Sequence, residues 1–312
     1  MFSLNATLPV FLVIVLGWFL MQKKMFNENF VDIINKFVFK VSLPVLLFKD
    51  IATTPIRDAF DPKFVIFCMI GTTIMFMGIW ALTSIFMKDK SMVGAFTQAS
   101  ARGSAAVLGI AFVQNIYGNS GMTPLMIVSA VPLYNIYSVI ILTFCANNQD
   151  HSDNSATIKR AFKNILTNPI ILGIAAGVPF SLLNIELPPL VLKTVTNVAQ
   201  TATPMALLAV GAGFEGRKAI KKLKPTMIAT FIKLVALPAI YFPFAIAMGF
   251  RESALVAILI MVGSPTTVTC YIMAKNMGND GVLSSSIIVM ATLLSSVTLT
   301  FWIFLLKSMG LI

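Results

Sequence analysis

The sequence predicts an all-α integral membrane protein of ten transmembrane helices, built as two inverted five-helix repeats. Three observations carry that prediction. The chain is 57% hydrophobic, only 11% charged, and has a mean hydropathy of +0.88, far more apolar than a soluble domain. Apolar runs of about 18 residues or more, enough to cross a roughly 30 Å hydrocarbon core, recur along it. Its landmarks also return in register: GSAAVLGIAFVQNIYGNSG at 103–121 is answered by GSPTTVTCYIMAKNMGNDG at 263–281.

The spans fall at about 4–21, 30–48, 63–86, 92–116, 122–146, 164–183, 188–213, 225–248, 253–276 and 282–306. No basic residue precedes the first and no small-residue cleavage pattern follows it, so it reads as a true span and not a signal peptide. The second and fourth carry internal polar residues. Lys23, Lys24, Lys88, Lys90, Lys221, Lys222 and Lys224 fall in loops on one side of the membrane, and the other side holds fewer basic residues. By the positive-inside rule both termini then face outside, in the plasma membrane. The net charge of +11 is mostly this bias, so nucleic acid is not an expected partner. Cys68, Cys145 and Cys270 lie in or at the ends of apolar spans with no metal spacing. His151, the single histidine, sits in a polar linker. No metal, cofactor or catalytic constellation is expected.

The repeat explains the opening pair of motifs. Pro9 meets Pro169, Gly17 meets Gly177, Pro44 meets Pro204, Arg57 meets Arg217 and Gly118-Asn119 meets Gly278-Asn279, all without a gap. The expected division is a first five-helix repeat at 1–146, a cytoplasmic linker at 147–163 and a second repeat at 164–312. Five is odd, so the second half enters the membrane from the opposite side. Inverted repeats of this kind mark secondary transporters, whose substrate sites lie near the midplane where the halves meet.

The fourth and ninth spans place Gly, Ser, Thr and a proline in mid-membrane. Pro265 removes a backbone donor and crowds the preceding turn. Irregular backbone at that depth is tolerated only where protein or a water-filled cavity satisfies it. Two interrupted helices at matching positions therefore point to a binding site. Small residues for close helix packing are the competing explanation.

Lys40, Arg102 and Lys233 fall deep in spans, with Lys36 a turn from Lys40, whereas every acid falls in a loop or at a span end. Buried cations without acids call for an anionic partner, and Arg102 beside the break could grip a carboxylate bidentately. The alternative for each is snorkelling to the interface.

The segments IINKFVFKVSLPVLLF, GSAAVLGIAFVQNIYG, PLYNIYSV and SPTTVTCYIMAKNMGNDGVLSSSIIV, followed by TLLS, resemble the auxin efflux carrier family. That family includes bacterial malate and malonate permease-like members and the plant PIN-FORMED carriers. The resemblance implies a bile-acid-transporter-like fold in which helices 4 and 9 are interrupted and cross. It also implies scaffold and transport domains each built from both repeats, and elevator-like transport of an organic anion. By position, Ser104 falls where plant carriers have a substrate-contacting Asn, Pro265 matches a proline at the ninth-helix break, and Asn135 matches a fifth-helix Asn. Lys275 matches a family Lys, and Lys233 falls where plant members have an Arg. The plant crossing prolines are Ala111 and Cys270 here, which points to a carboxylate smaller than auxin.

The expected function is a secondary transporter or facilitator for a small organic anion such as malate or an auxin-like acid. A sodium-coupled symporter is the alternative. The expected substrate-binding residues are Arg102, Ser104, Ala105, Asn135, Ser264, Pro265, Thr266, Thr267 and Lys40. Besides the anion and the lipid bilayer, a second copy of the chain in a homodimer is a partner that the sequence leaves open.

Overall fold

Polar caps and prolines decide where the helices of this apolar chain begin and end. The computed structural model describes residues 2–53, 61–146, 162–183 and 185–312. Arg57, His151 and the linker stretch 147–161 lie outside the described residues.

Helix α1 spans Phe2–Gln22 with Pro9 in its interior. Pro9 therefore does not sit in a first turn, where a proline would cost no helical hydrogen bond. Helix α2, Glu28–Phe37, begins where the Asn27 side chain accepts from Phe30 N at 2.8 Å. It passes through a π-turn at Val38–Ser42 into α3, Leu43–Ala52. A second π-turn, Ile232–Ala236, joins α12, Leu223–Phe231, to α13, Leu237–Ala247. Each π-turn directly precedes a Leu-Pro pair, Leu43-Pro44 and Leu237-Pro238. A proline has no N–H and its ring crowds the carbonyl four residues back; the wider turn makes room for it.

The remaining helices are α4 (Pro62–Phe86), α5 (Val93–Ala101), α6 (Ala105–Tyr117), α7 (Thr123–Phe144), α8 (Pro169–Leu183), α9 (Pro189–Gln200), α10 (Ala202–Ala212), α11 (Gly216–Lys221), α14 (Glu252–Gly263), α15 (Thr269–Asn276) and α16 (Gly281–Ser308). Among the described residues there is no strand, only an isolated antiparallel bridge between Gly103 and Thr266. Among the described residues, four stretches are each long and apolar enough to cross a bilayer: Pro62–Phe86, Thr123–Phe144, Leu223–Ala247 and Gly281–Ser308. The chain is an all-helical, multi-pass membrane protein. The Gly-Asn motifs serve as stops. Gly118 at φ 74° and Gly278 at φ 70° take the left-handed conformation just past α6 and α15, which glycine adopts without penalty.

Two helix pairs pack almost backbone to backbone, α1 along α10 and α3 along α8. A Cβ on Gly17 would collide with the Leu208 carbonyl, and one on Gly177 would lie 2.9 Å from the Phe48 carbonyl oxygen. The second contact is the first shifted by the repeat, since 17 and 177, like 48 and 208, differ by the same 160 residues. Small residues permit this approach where no hydrophobic force draws helices together. In the other part of the molecule α4 packs on α7, and α12 on α16. Helices α5 and α14 are buried along Val93–Ala101 and Ala254–Gly263. Helix α14 is apolar along that length, as a helix in such an interior is, whereas α5 carries buried Thr97, Gln98 and Ser100; both end at the centre of the protein.

Candidate substrate site

Two helices stop in the middle of the protein and two others start there. The chain leaves helical geometry at Arg102–Ser104, between α5 and α6, and at Ser264–Val268, between α14 and α15. The two gaps touch. Gly103 bridges Thr266, and Ser104 N donates to the Pro265 carbonyl at 2.9 Å. Gly103 leaves room for the crossing, because a Cβ would collide with Ser264 Oγ and lie 2.9 Å from Lys233 Nζ, so that one or both side chains would have to move.

Ending a helix at this depth frees carbonyls that lipid cannot satisfy. Side chains satisfy them. Thr266 Oγ1 donates to Ala99 O at 2.7 Å, and Tyr134 Oη donates to Met261 O at 2.8 Å. Lys233 Nζ donates to Ala101 O at 2.9 Å and to Met261 O at 3.4 Å, so one ammonium serves the ends of both α5 and α14. A cation there also balances the negative ends of two helix dipoles. Lys233 is fully buried and does not snorkel.

Arg102 has a different task. It is 5% exposed. Its Nη2 donates to Asn135 Oδ1 at 2.8 Å, and Nη1 meets the Met273 sulfur at 2.9 Å. Asn135 is itself held by donating Nδ2 to Val131 O at 2.9 Å. A thioether is a weak acceptor for a guanidinium that carries five donors, so this charge is oriented more than it is neutralised.

Two small cavities flank the contact between the gaps. One, of about 50 Å³, is bounded by Thr7, Thr203, Pro265, Thr266 and Thr292 among others. The second, of about 70 Å³, is bounded by Asp50, Arg102, Gly103, Ala105, Tyr134 and Thr269 among others. Ser104, Thr203, Thr267 and Val268 line both. Each has room for several waters. The N-termini of α6 and α15 begin at these walls, so partial positive charge lies beside the cavities; in α15, Cys270 N and Tyr271 N already donate to Thr267 O and Val268 O. Charge is thus sorted: Lys233 holds the C-terminal ends, while Arg102 and the N-terminal ends lie at the open space.

The fold brings most of the sequence-predicted site residues together. Arg102, Ser104, Ala105, Pro265, Thr266 and Thr267 line one cavity or both. Asn135 stands behind Arg102. Ser264 is buried at the crossing, its hydroxyl without a partner among the described residues. Thr266 lends its hydroxyl to the end of α5. Lys40 stands apart: it is exposed on the first π-turn and lines neither cavity. The π-turn ahead of Pro44 rotates it away. Reading the sequence overlooked Thr203, Tyr134 and Asp50. The threonine was signalled only by its place before the repeat-matched Pro204. Asp50 lies in the last turn of α3, at a span end like the other acids, and from there reaches the cavity wall.

A mostly apolar space that carries one buried cation and a few hydroxyls, enclosed by interrupted helices, is the build of a membrane transporter. The chain belongs to the family described as "Membrane transport protein", which matches residues 2–303. Its relatives include the "Putative malonate transporter" of Rhizobium meliloti (strain 1021), 24% identical over 309 residues, covering 96% of this chain and 95% of that one. An "Uncharacterized transporter" of Methanothermobacter thermautotrophicus is 22% identical over 304 residues, covering 96% and 97%. The "Uncharacterized transporter YfdV" of Escherichia coli (strain K12) is 24% identical over 246 residues, covering 76% of each. The protein is a transporter and not an enzyme.

Proposed function

We propose that the protein carries a small organic anion, a short carboxylate, across the plasma membrane by alternating access. The observation that carries this reading is the placement of Arg102, a buried cation at the mouth of a helix break, on the wall of a cavity that also receives two helix N-termini. A bidentate guanidinium and free backbone N–H groups are what a carboxylate binds. The small cavities suit a compact acid better than an indole ring, and the name of the Rhizobium relative points the same way.

The movement we propose is elevator-like. Lys233, the Gly103–Thr266 bridge and the Ser104–Pro265 hydrogen bond tie the two interrupted helices into one unit. The close-packed pairs α1–α10 and α3–α8 form the frame it moves against. The repeat-related contacts Gly17–Leu208 and Gly177–Phe48 support two inverted five-helix halves. With the basic loops inside, both termini face out and the linker lies in the cytoplasm. The test is a thermal-shift screen of purified protein against monocarboxylates, dicarboxylates and indole-3-acetate, followed by counterflow in vesicles with whichever acid stabilises it. A short carboxylate should stabilise the protein and exchange across the vesicle membrane. Stabilisation by none of them would overturn the reading.

A further inference from the structure

A third cavity, of about 430 Å³, opens on the outer wall of the protein between the end of α4 and the start of α12. It shares no lining residue with the two cavities at the crossing. Its volume falls in the range of ligand pockets, about 300–1,000 Å³. Beyond Phe86 the chain leaves α4 in extended geometry, with Met87 at ψ 119° and Asp89 at ψ 101°, before α5 begins. Leu82, Phe86 and Ile228 stand exposed along the walls of this groove, and Phe96 of α5 is buried at its floor.

Most of the polar groups around the groove are already engaged. Thr83 Oγ1 meets Ile79 O and Thr97 Oγ1, both at 2.8 Å. Asp89 accepts from Ser91 N at 3.0 Å and from Ser91 Oγ at 2.6 Å. Nearby, Lys90 donates to Ser84 O, and Lys222 pairs with Asp280. Lys88 and Lys224 differ. One stands at the α4 side of the groove and the other at the α12 side; both are exposed, and neither hydrogen-bonds nor ion-pairs with a described residue. An apolar groove that ends in two such ammonium groups, where two spans meet the membrane surface, matches a molecule with a hydrocarbon chain and an anionic head. Lysine clusters at that level favour anionic lipids, and their long stems let the charge sit at headgroup height. We propose that this groove binds an anionic phospholipid, with an acyl chain against Leu82, Phe86 and Ile228 and the phosphate between Lys88 and Lys224.

The test is native mass spectrometry of the purified full chain in mild detergent, titrated with dioleoyl phosphatidylglycerol or dioleoyl phosphatidylcholine. These lipids share their acyl chains and differ in headgroup charge. One phosphatidylglycerol should be held about 25-fold more tightly than phosphatidylcholine, about fivefold for each lysine at the membrane surface. Lys88→Gln with Lys224→Gln should erase that preference. Lys23→Gln with Lys24→Gln removes the same charge elsewhere on the basic-loop side and should leave it intact. Ile228→Trp, which fills the groove without changing its charge, should weaken both lipids. Glycerol phosphate, a headgroup without a chain, should displace neither. Equal retention of the two lipids, or a preference that survives loss of Lys88 and Lys224, would overturn the site. So would an equal loss in the Lys23 and Lys24 variant, unchanged binding in Ile228→Trp, or displacement by glycerol phosphate.

Discussion

Lys233 donates to the carbonyl of Ala101, the last residue of α5, from a helix more than a hundred residues away in sequence. The same ammonium reaches Met261 near the end of α14. Among the deep cations, this one is used to hold the crossing. Replacing it by Met should therefore lower stability more than it alters selectivity. Two carbonyls would lose a charged donor, a loss of about 2–4 kcal/mol, read as an earlier unfolding midpoint in detergent. A Lys233→Met protein that melts like wild type would refute the clasp.

Arg102 should behave in the opposite way. Arg102→Ala should fold yet bind a short carboxylate about 100-fold more weakly, in the range of a charged hydrogen bond. Arg102→Lys keeps the charge without the planar fork and should lose about tenfold. Asn135→Leu, which releases the guanidinium from its 2.8 Å hydrogen bond, should fall between wild type and Arg102→Ala. The measurement is titration calorimetry on each purified variant, and equal affinities across the series would remove Arg102 from the site.

Gly103 and Gly78 form a matched pair of tests. A Cβ at Gly103 meets Ser264 and Lys233, whereas one at Gly78, inside α4, meets nothing within 4 Å. Gly103→Ala should cost about 1–3 kcal/mol by overpacking and abolish transport. Gly78→Ala should gain about 0.5–1 kcal/mol from helix propensity and leave transport intact. Chemical denaturation and vesicle uptake of both variants settle the comparison.

Pro265 and Pro9 contrast two kinds of proline. Pro265→Leu restores a donor and removes a ring at the ninth-span gap, letting α14 extend toward α15. The protein should stay folded while transport per folded molecule falls steeply. Pro9 is interior to α1 and exposed, so Pro9→Leu should close a missing helical bond and raise the melting temperature with little change in transport. Equal transport losses at the two positions would show that Pro265 is only a packing kink.

Much of this was legible from residue chemistry. Glycine, serine and proline cannot continue a helix comfortably in hydrocarbon, so the breaks at Gly103 and Pro265 stood out from the apolar runs around them. Gly118 and Gly278 were visible as matched stops for the same reason. Lys233 was marked as deep, but the carbonyls it serves belong to helices distant in sequence. Only the crossing defines them. Lys40 and Asp50 show the limit most clearly. A span drawn from hydropathy fixes depth but not azimuth. The π-turn before Pro44 turns the lysine out, while the α3 face that packs inward places the acid on the cavity.

The close pairing of α1 with α10 and of α3 with α8 has a consequence for how the chain is made. The second partner of each pair, α10 or α8, is synthesised long after the first. When the ribosome reaches the linker, α4 and α7 have each other, but the Gly17 side of α1 and the Pro44–Phe48 side of α3 still lack the helices that will pack on them, α10 with Gly211 and α8 with Gly173 and Gly177. The first half must wait in the bilayer, unfinished, until the second arrives. Contacts of such sequence separation form late and slowly. The two halves should therefore assemble when expressed as separate polypeptides, while either alone should be cleared by membrane quality control.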